Sequence, residues 1–514
     1  MSLRVDEFRV EGVDSEHDED HRCVREPPAA ANLFRMATGT QKLLPRKRTT
    51  HAAMERPNIV WITLDSVRAD HTTLDGYHRE TTPELERIGQ GGHAFRNCIA
   101  HSLSTLPSTG AMMSGYPPSR NTVGVDGNQL PDSITTMPER FSDAGYATAC
   151  LSRNSYLSSA TGLDRGFDRF QWLSSSTLHE AGLRPLLSYA LNLRSHSAGL
   201  STDTAKHSSA YLMNEVAKEW LADFRRDEDP FFFYLHYNEP HRPYYPPRKY
   251  LDTFSEGLSM SGTEAAEFAL DVHYNLEDIV ANGCQLSDDE WAALEAMYDA
   301  EVAYTDEMVG RLFDHVQSMR GRDTIVVVTA DHGELFGEYG LLSHSYVLHD
   351  AVTRVPMVIH GLDDDLAVDG DDTIQHLDVF RTLLNVAGGD PGDTIGFDLR
   401  EQTREFAVSQ RGPTSFEELL AHNPSFDTSR FHTETLTALR TPEFKYQRSS
   451  EKEELFALPD EDADVSSEYP QQRTALDETL DDWMDRHGQP VGAAQEGEFS
   501  DAVTRQLRDL GYME

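Results

Sequence analysis

The sequence predicts a doubly wound α/β protein: a mixed, mostly parallel sheet flanked by helices, with a smaller C-terminal antiparallel sheet subdomain. Three observations carry this. Short apolar, β-rich runs recur as NIVWITL (58–64), FFFYLHY (231–237) and TIVVVTA (324–330), with helical stretches between them. The runs are apolar on both faces, as strands covered by helices on each side must be. Each ends beside polar residues of catalytic type, where ligands gather in open α/β sheets.

Residues 1–55 are irregular, first acidic and then basic around PRKRTTHAAMERP, and are expected to form a disordered leader ahead of the first strand. NIVWITL delivers Asp65 from its carboxyl end. TTPELERIGQGG (81–92) predicts a short helix with proline at its start and glycine at its end. SLSTLPS then leads into GAMMSG, and SITTMPERFSDAGYATACLS (133–152) reads as a helix followed by a strand. After the strand at 231–237, the helix WAALEAMYDAEVAYTDEMVGRLFDHVQSMR (291–320) feeds TIVVVTA; VPMVIHG (355–361) is a further strand and HLDVFRTLLNVAGG a helix ending in glycines. From about 390 the segments EFAVSQRG, FHTETLTALRT and FKYQRSS read as short antiparallel strands. The expected division is 56–388 for the catalytic domain, 389–464 for the smaller α+β subdomain and 465–514 for an acidic, partly helical tail.

The chain of 514 residues carries 45 basic against 87 acidic side chains, a formal charge of -42, which disfavours nucleic acid as a partner because phosphate attraction is the main nonspecific term there. Only 7 basic residues are lysine and the acids run through every segment, a surface suited to high ionic strength. Cys23, Cys98, Cys150 and Cys284 are too dispersed for a disulfide framework or a metal knuckle and read as isolated thiols. No window reaches the roughly 20 apolar residues of a membrane span, and the first residues lack the apolar core of a signal peptide, so the expected location is cytoplasmic.

Asp65, Thr105, Asp331 and His332 are the sharpest chemical set. Two carboxylates and an imidazole can hold one divalent cation, and a cation beside Thr105 would lower the cost of its alkoxide. Each of these residues alone would pass for a solvated loop tip. Their recurrence at predicted strand ends is the signal.

The segments PNIVWITLDSVRADHTTLDGYHRETTPELERIGQGGHAFRN, TLPSTGAMMSGYPPSRNTVG, FFFYLHYNEPHRPYYPP, YDAEVAYTDEMVGRLFDHV and TADHGELFGEYG together resemble the sulfatase and sulfatase-like branch of the alkaline phosphatase superfamily, from about 57 to 466. The resemblance implies Asp65, Asp331 and His332 as metal ligands, with Thr105 as both nucleophile and fourth ligand. It implies His241, in EPHRPY, as a contact to the transferred group or the leaving oxygen. His344, in LLSHSY, stands where sulfatases commonly carry lysine, and both histidines are candidate catalytic residues. His236 and His349 read as structural. Arg68 reads as a salt-bridge residue, and Arg120 either orients the site or does the same.

Three departures matter. Formylglycine sulfatases open the second block with Cys or Ser, and Thr105 cannot yield that aldehyde; the usual assisting arginine is Thr109; and the second carboxylate of the usual Asp-Asp pair is Ser66. A directly acting threonine is the habit of relatives that cleave phosphoesters or transfer phosphoglycerol groups. The expectation is therefore a metal-dependent hydrolase, or phosphoryl-transfer enzyme, acting on a phosphate mono- or diester through Thr105. A sulfate ester hydrolase without formylglycine, and a catalytically silent binding protein, are the alternatives. One divalent ion is expected, with Mn or Zn favoured by the imidazole ligand and Mg or Ca as harder alternatives. The expected substrate is a small anionic ester, such as a sugar or lipid conjugate.

Overall fold

A computed structural model of the chain describes residues 56–174, 177–199, 201, 206–227, 229–362 and 365–509; the expected leader lies outside the described residues. The apolar run at 58–64 becomes strand β1 (Asn58–Leu64), buried at every position. It sits at the centre of a seven-stranded sheet with β2 (Gly92–Ile99), β3 (Ala147–Ser152), β4 (Arg169–Trp172), β5 (Phe231–Tyr237), β6 (Thr324–Ala330) and β9 (Arg354–His360), in the order β2-β9-β6-β1-β5-β3-β4. Only β9 runs against the rest. The short pair β7 (Leu335–Phe336) and β8 (Leu342–Ser343) forms a separate two-stranded sheet just after β6.

Helices cover both faces, as alternation along β5 shows. Phe232 stacks on Phe141, from the helix at Met137–Asp143, with ring centroids 4.3 Å apart, whereas Phe233 faces Trp220 of the helix Ala210–Asp227 at 5.6 Å. Adjacent strand residues point to opposite faces, so these helices lie on opposite sides. Helix α1 (Pro83–Gln90) and the long helix α3 (Asp288–Ser318) pack with the Trp220 group. Helix α2 (Thr105–Ser114) and α4 (His376–Val386) pack with the Phe141 group, where Trp61 stacks on Phe380 at 4.0 Å.

The C-terminal region forms a four-stranded antiparallel sheet, β10 (Ala407–Arg411), β11 (Leu436–Arg440), β12 (Phe444–Arg448) and β13 (Glu453–Ala457). Three of these strands were legible in the sequence. The fourth, EELFA, and the edge strand β2, GHAFRNCI, were not, because both mix polar and apolar residues without a clean period. Cys98, Cys150 and Cys284 are free and buried, as isolated thiols should be; Cys23 lies outside the described residues.

Register positions the site. Leu64 pairs with Tyr237 on one side and Ala330 on the other, so Asp65 and Asp331 leave their strands at one level of the carboxyl edge. His236 pairs with Thr63, one step inside that edge.

Candidate active site

Chain direction at the edge is set by two local features. Ser66 adopts a left-handed backbone, φ 64°, a conformation that costs a non-glycine residue energy, and its N–H reaches Asp331 Oδ1 at 3.3 Å. At Gly333 a Cβ would meet Ala351 O at 2.1 Å, so the Asp-His-Gly turn needs glycine for close approach, not for a positive φ. The turn is held by bonds from Gly333 N to Val352 O, 2.6 Å, and Glu334 N to Ala351 O, 3.0 Å.

All four residues of the predicted set converge and are buried. Thr105 Oγ1 donates to Asp65 Oδ1 at 3.5 Å and lies 3.3 Å from His332 Nε2. His332 Nδ1–H donates to the Gly333 carbonyl at 2.9 Å, which leaves Nε2 facing Thr105 and, at 3.5 Å, Asp65 Oδ1. Thr105 opens helix α2 and is not at a strand end, contrary to the expectation; Ser104 before it is extended and supplies no side-chain cap.

Sequence reading missed two members. His236, read as structural, places Nε2 3.4 Å from Asp65 Oδ2 and 3.8 Å from Asp331 Oδ2. Asp65, His236 and Asp331 thus present ligand atoms within 4.8 Å of one another. Asn154, just beyond β3, donates to Asp65 Oδ2 at 3.0 Å. The available signal was that His236 is the next-to-last residue of an apolar strand, but only the β1–β5 pairing turns it towards Asp65.

The donor set fits a divalent cation. Asp331 Oδ1 accepts N–H groups from Ser66 and His332, whereas its buried Oδ2 has no hydrogen-bond partner among the described residues. A buried carboxylate oxygen left without a partner is costly unless a cation takes it. Burial alone would raise Asp65, but the imidazoles of His241, His236 and His332 outweigh it and hold this carboxyl well below its usual range. Asp331 is pushed up, by burial first and then by the neighbouring Asp65 charge, as expected for two carboxylates sharing one site.

His241 and His344 flank this cluster. Their ring centroids are 5.1 Å apart, and His344 lies 4.4 Å from the His332 ring. His241 Nδ1–H donates to the Arg242 carbonyl at 2.8 Å, and burial takes this imidazole down to about 3. His344 Nδ1 lies 3.1 Å from Glu334 Oε1, and burial also lowers His344. Arg242 Nε donates to Ser343 Oγ at 3.2 Å and ties the two histidine loops together. Arg68 is committed to Asp70 and Glu338, as its salt-bridge reading anticipates. Arg120 pairs with Asp393 at 2.9 Å and lies over the Tyr116 ring. His349 caps the short helix Asp350–Thr353 by accepting the Ala351 N–H, a structural duty.

Comparison with known proteins agrees with this geometry. The family model described as Sulfatase matches residues 57–389. A protein named "Sulfatase" from Formosa agariphila is 23% identical over 381 residues, covering 66% of this chain and 71% of its own. Among solved structures, the phosphonate monoester hydrolase of Agrobacterium radiobacter superposes with a TM-score of 0.64 at 19% identity, covering 84% of this chain and 96% of that one. Another, described in complex with its substrate D-glucosamine-2-N,6-O-disulfate, gives 0.63 at 19% identity and covers 84% and 98%. The doubly wound sheet with a metal-binding carboxylate and histidine cluster at its carboxyl edge defines a metal-dependent ester hydrolase of the alkaline phosphatase superfamily. Within that class, the chain belongs to the sulfatase family.

Proposed function

We propose that the enzyme cleaves phosphate mono- or diesters, or passes the phosphoryl group to an alcohol, with Thr105 as the nucleophile. The observation that carries this reading is the buried threonine hydroxyl held between Asp65 and His332. A threonine cannot become an aldehyde, whereas phosphorus accepts an alkoxide directly. Asp65, Asp331 and His332, with the Thr105 oxygen as fourth ligand and His236 added, would hold one divalent ion. Mn or Zn suits the imidazoles and Mg or Ca the oxygens. When bound, such an ion supplies Lewis-acid stabilisation of negative charge and makes a nearby hydroxyl easier to deprotonate.

In the first half of the reaction Thr105 Oγ1 bonds to phosphorus, the ester P–O bond breaks and the alcohol departs with a proton. In the second half water, or a second alcohol, displaces the phosphoryl group in line and the Thr105 hydroxyl is restored. In this reading His241 and His344 contact the ester oxygens, supported by the His344 ring lying 4.4 Å from that of His332 and 5.1 Å from that of His241. The substrate is a small anionic ester carrying a sugar or lipid alcohol, and the enzyme works in the cytoplasm. Among the described residues no helix is long and apolar enough to cross a membrane.

The test is parallel hydrolysis of p-nitrophenyl phosphate, bis-p-nitrophenyl phosphate and p-nitrophenyl sulfate in molar salt with Mn, Zn, Mg or Ca, for wild type and T105A. Phosphoester turnover that falls by at least about 10³-fold in T105A is expected, the scale on which activated nucleophiles are lost. Sulfate turnover alone would overturn the phosphorus reading in favour of a sulfate ester hydrolase working without formylglycine.

A further inference from the structure

His344 is backed by a carboxylate that neither the sequence motifs nor the proposed reaction uses. Glu334 is fully buried, two residues beyond the His332 ligand position, and its Oε1 lies 3.1 Å from His344 Nδ1. A carboxylate can only accept, so the His344 proton sits on Nδ1, and Nε2 carries the lone pair. Glu334 is itself fixed by its N–H bond to Ala351 O at 3.0 Å, inside the turn that Gly333 makes possible. Beyond the ring, His344 borders His332 at 4.4 Å and His241 at 5.1 Å, so its neighbours are those of the reacting phosphoryl group. This is a carboxylate–imidazole pair beside the metal-ligand cluster, in which the first member sets the tautomer and heading of the second.

We infer that Glu334 is a positioning residue that holds His344 with Nε2 turned to the ester oxygens, so that His344 takes the proton of the water that releases phosphate from Thr105. The inference rests on the phospho-Thr105 reading above. The step balances: the water oxygen bonds to phosphorus as the P–Oγ1 bond of Thr105 breaks, one water proton stays on the phosphate, and the other passes to His344 Nε2 and from there restores the Thr105 hydroxyl. In-line geometry puts the entering water where the alcohol left, so the imidazole that faces the departing oxygen also faces the arriving water. A nitrophenolate leaves without needing a proton. With that leaving group only the second half should suffer when the dyad is broken.

The experiment compares E334Q, H344Q, the double variant and T105A with wild type on p-nitrophenyl phosphate, by stopped-flow burst, steady state and mass of the acid-quenched protein. In E334Q and H344Q the expected kcat falls about 100-fold, KM falls with it, and kcat/KM stays within about threefold. Both should show a burst of nitrophenol and a phosphoryl group retained on Thr105. The double variant should be no slower than H344Q within about twofold, because Glu334 acts through His344. Metal content should match wild type in E334Q, H344Q and the double variant. Multiplying effects in the double variant, loss of metal in E334Q, or slowing without phospho-Thr105 would each overturn the inference while leaving the nucleophile reading standing. Turnover by T105A would overturn both. Should E334Q not fold, the same burst and mass measurement on E334D decides, since its shorter carboxylate releases Nδ1; a wild-type level of phospho-Thr105 there overturns the inference.

Discussion

At the scale of single residues, His236 separates what spacing reveals from what pairing reveals. Asp65, Asp331 and His332 follow apolar runs directly and announce themselves, and Thr105 stands out in a Ser/Thr-rich turn. His236 sits inside its strand, and nothing in FFFYLHY distinguishes a core imidazole from a ligand. Its Nε2 is 3.4 Å from Asp65 Oδ2 only because β5 lies beside β1 with His236 opposite Thr63. Asn154 and Glu334 stayed hidden for the same reason: their partners, Asp65 and His344, are brought to them by the fold. If His236 helps to hold the cation, H236Q should weaken metal affinity by about 10- to 100-fold, the range seen when a histidine in or next to a metal's ligand shell is lost. Titrating metal-free protein with Mn and reading bound metal after dialysis would check this. Affinity within twofold of wild type would return His236 to a purely structural part.

At the scale of elements, the three central strands and the long helix were legible because burial on both faces demands unbroken apolar runs. The edge strand β2 and the outer β13 were not, since an edge tolerates charge and blurs the period. Helix α1 shows a second kind of hidden information. Its N-cap residue, Thr82, makes no side-chain cap, and the Glu84 and Leu85 N–H groups instead donate to Asp306 of α3, each at 2.8 Å. The cap is thus supplied across more than 200 residues of sequence, from a helix that must first dock. Burial outweighs those two N–H donors and pushes the Asp306 carboxyl up from 3.8 to about 7, with Glu84 adding to the rise and Arg87 opposing it. A carboxyl raised in the folded state binds its proton more tightly there. Its contribution to stability is therefore full below pH 3.8 and is lost as pH rises through 7. The loss runs at no more than about 1.4 kcal/mol per pH unit. In D306N that slope disappears, so the stability of D306N relative to wild type should improve between pH 5 and pH 8. Urea unfolding of both proteins at the two pH values measures it. A relative stability that stays flat between pH 5 and pH 8 would mean that the helix N-terminus dominates and keeps Asp306 ionised.

At the scale of the whole molecule, the net charge of -42 is the largest unspent electrostatic term. The basic side chains already counted in that sum include several held in buried pairs: Asp350 is gripped by Arg440 and Lys445, Asp378 by Arg404, and Asp299 by Arg79. These buried pairs are insulated from salt, because ions cannot enter to screen them. Ion pairs at the surface, such as Arg96 with Asp371, are weak and readily screened. What remains is an excess of exposed carboxylates repelling one another across a folded surface, which opposes compaction at low ionic strength. Screening shortens the range of that repulsion from about 30 Å at 0.01 M salt to about 3 Å at 1 M. Salt should therefore stabilise this protein, and should do so through ionic strength before any specific ion effect. The thermal midpoint is expected to climb steadily from 0.05 M to 2 M KCl, with most of the gain below 1 M, where the screening length changes fastest. NaCl should give the same curve as KCl at equal ionic strength. Calorimetric scans in both salts decide the point. A midpoint that is flat or falls with added KCl would show that the excess charge is not what limits folding, and that the acidic surface owes nothing to a salty environment.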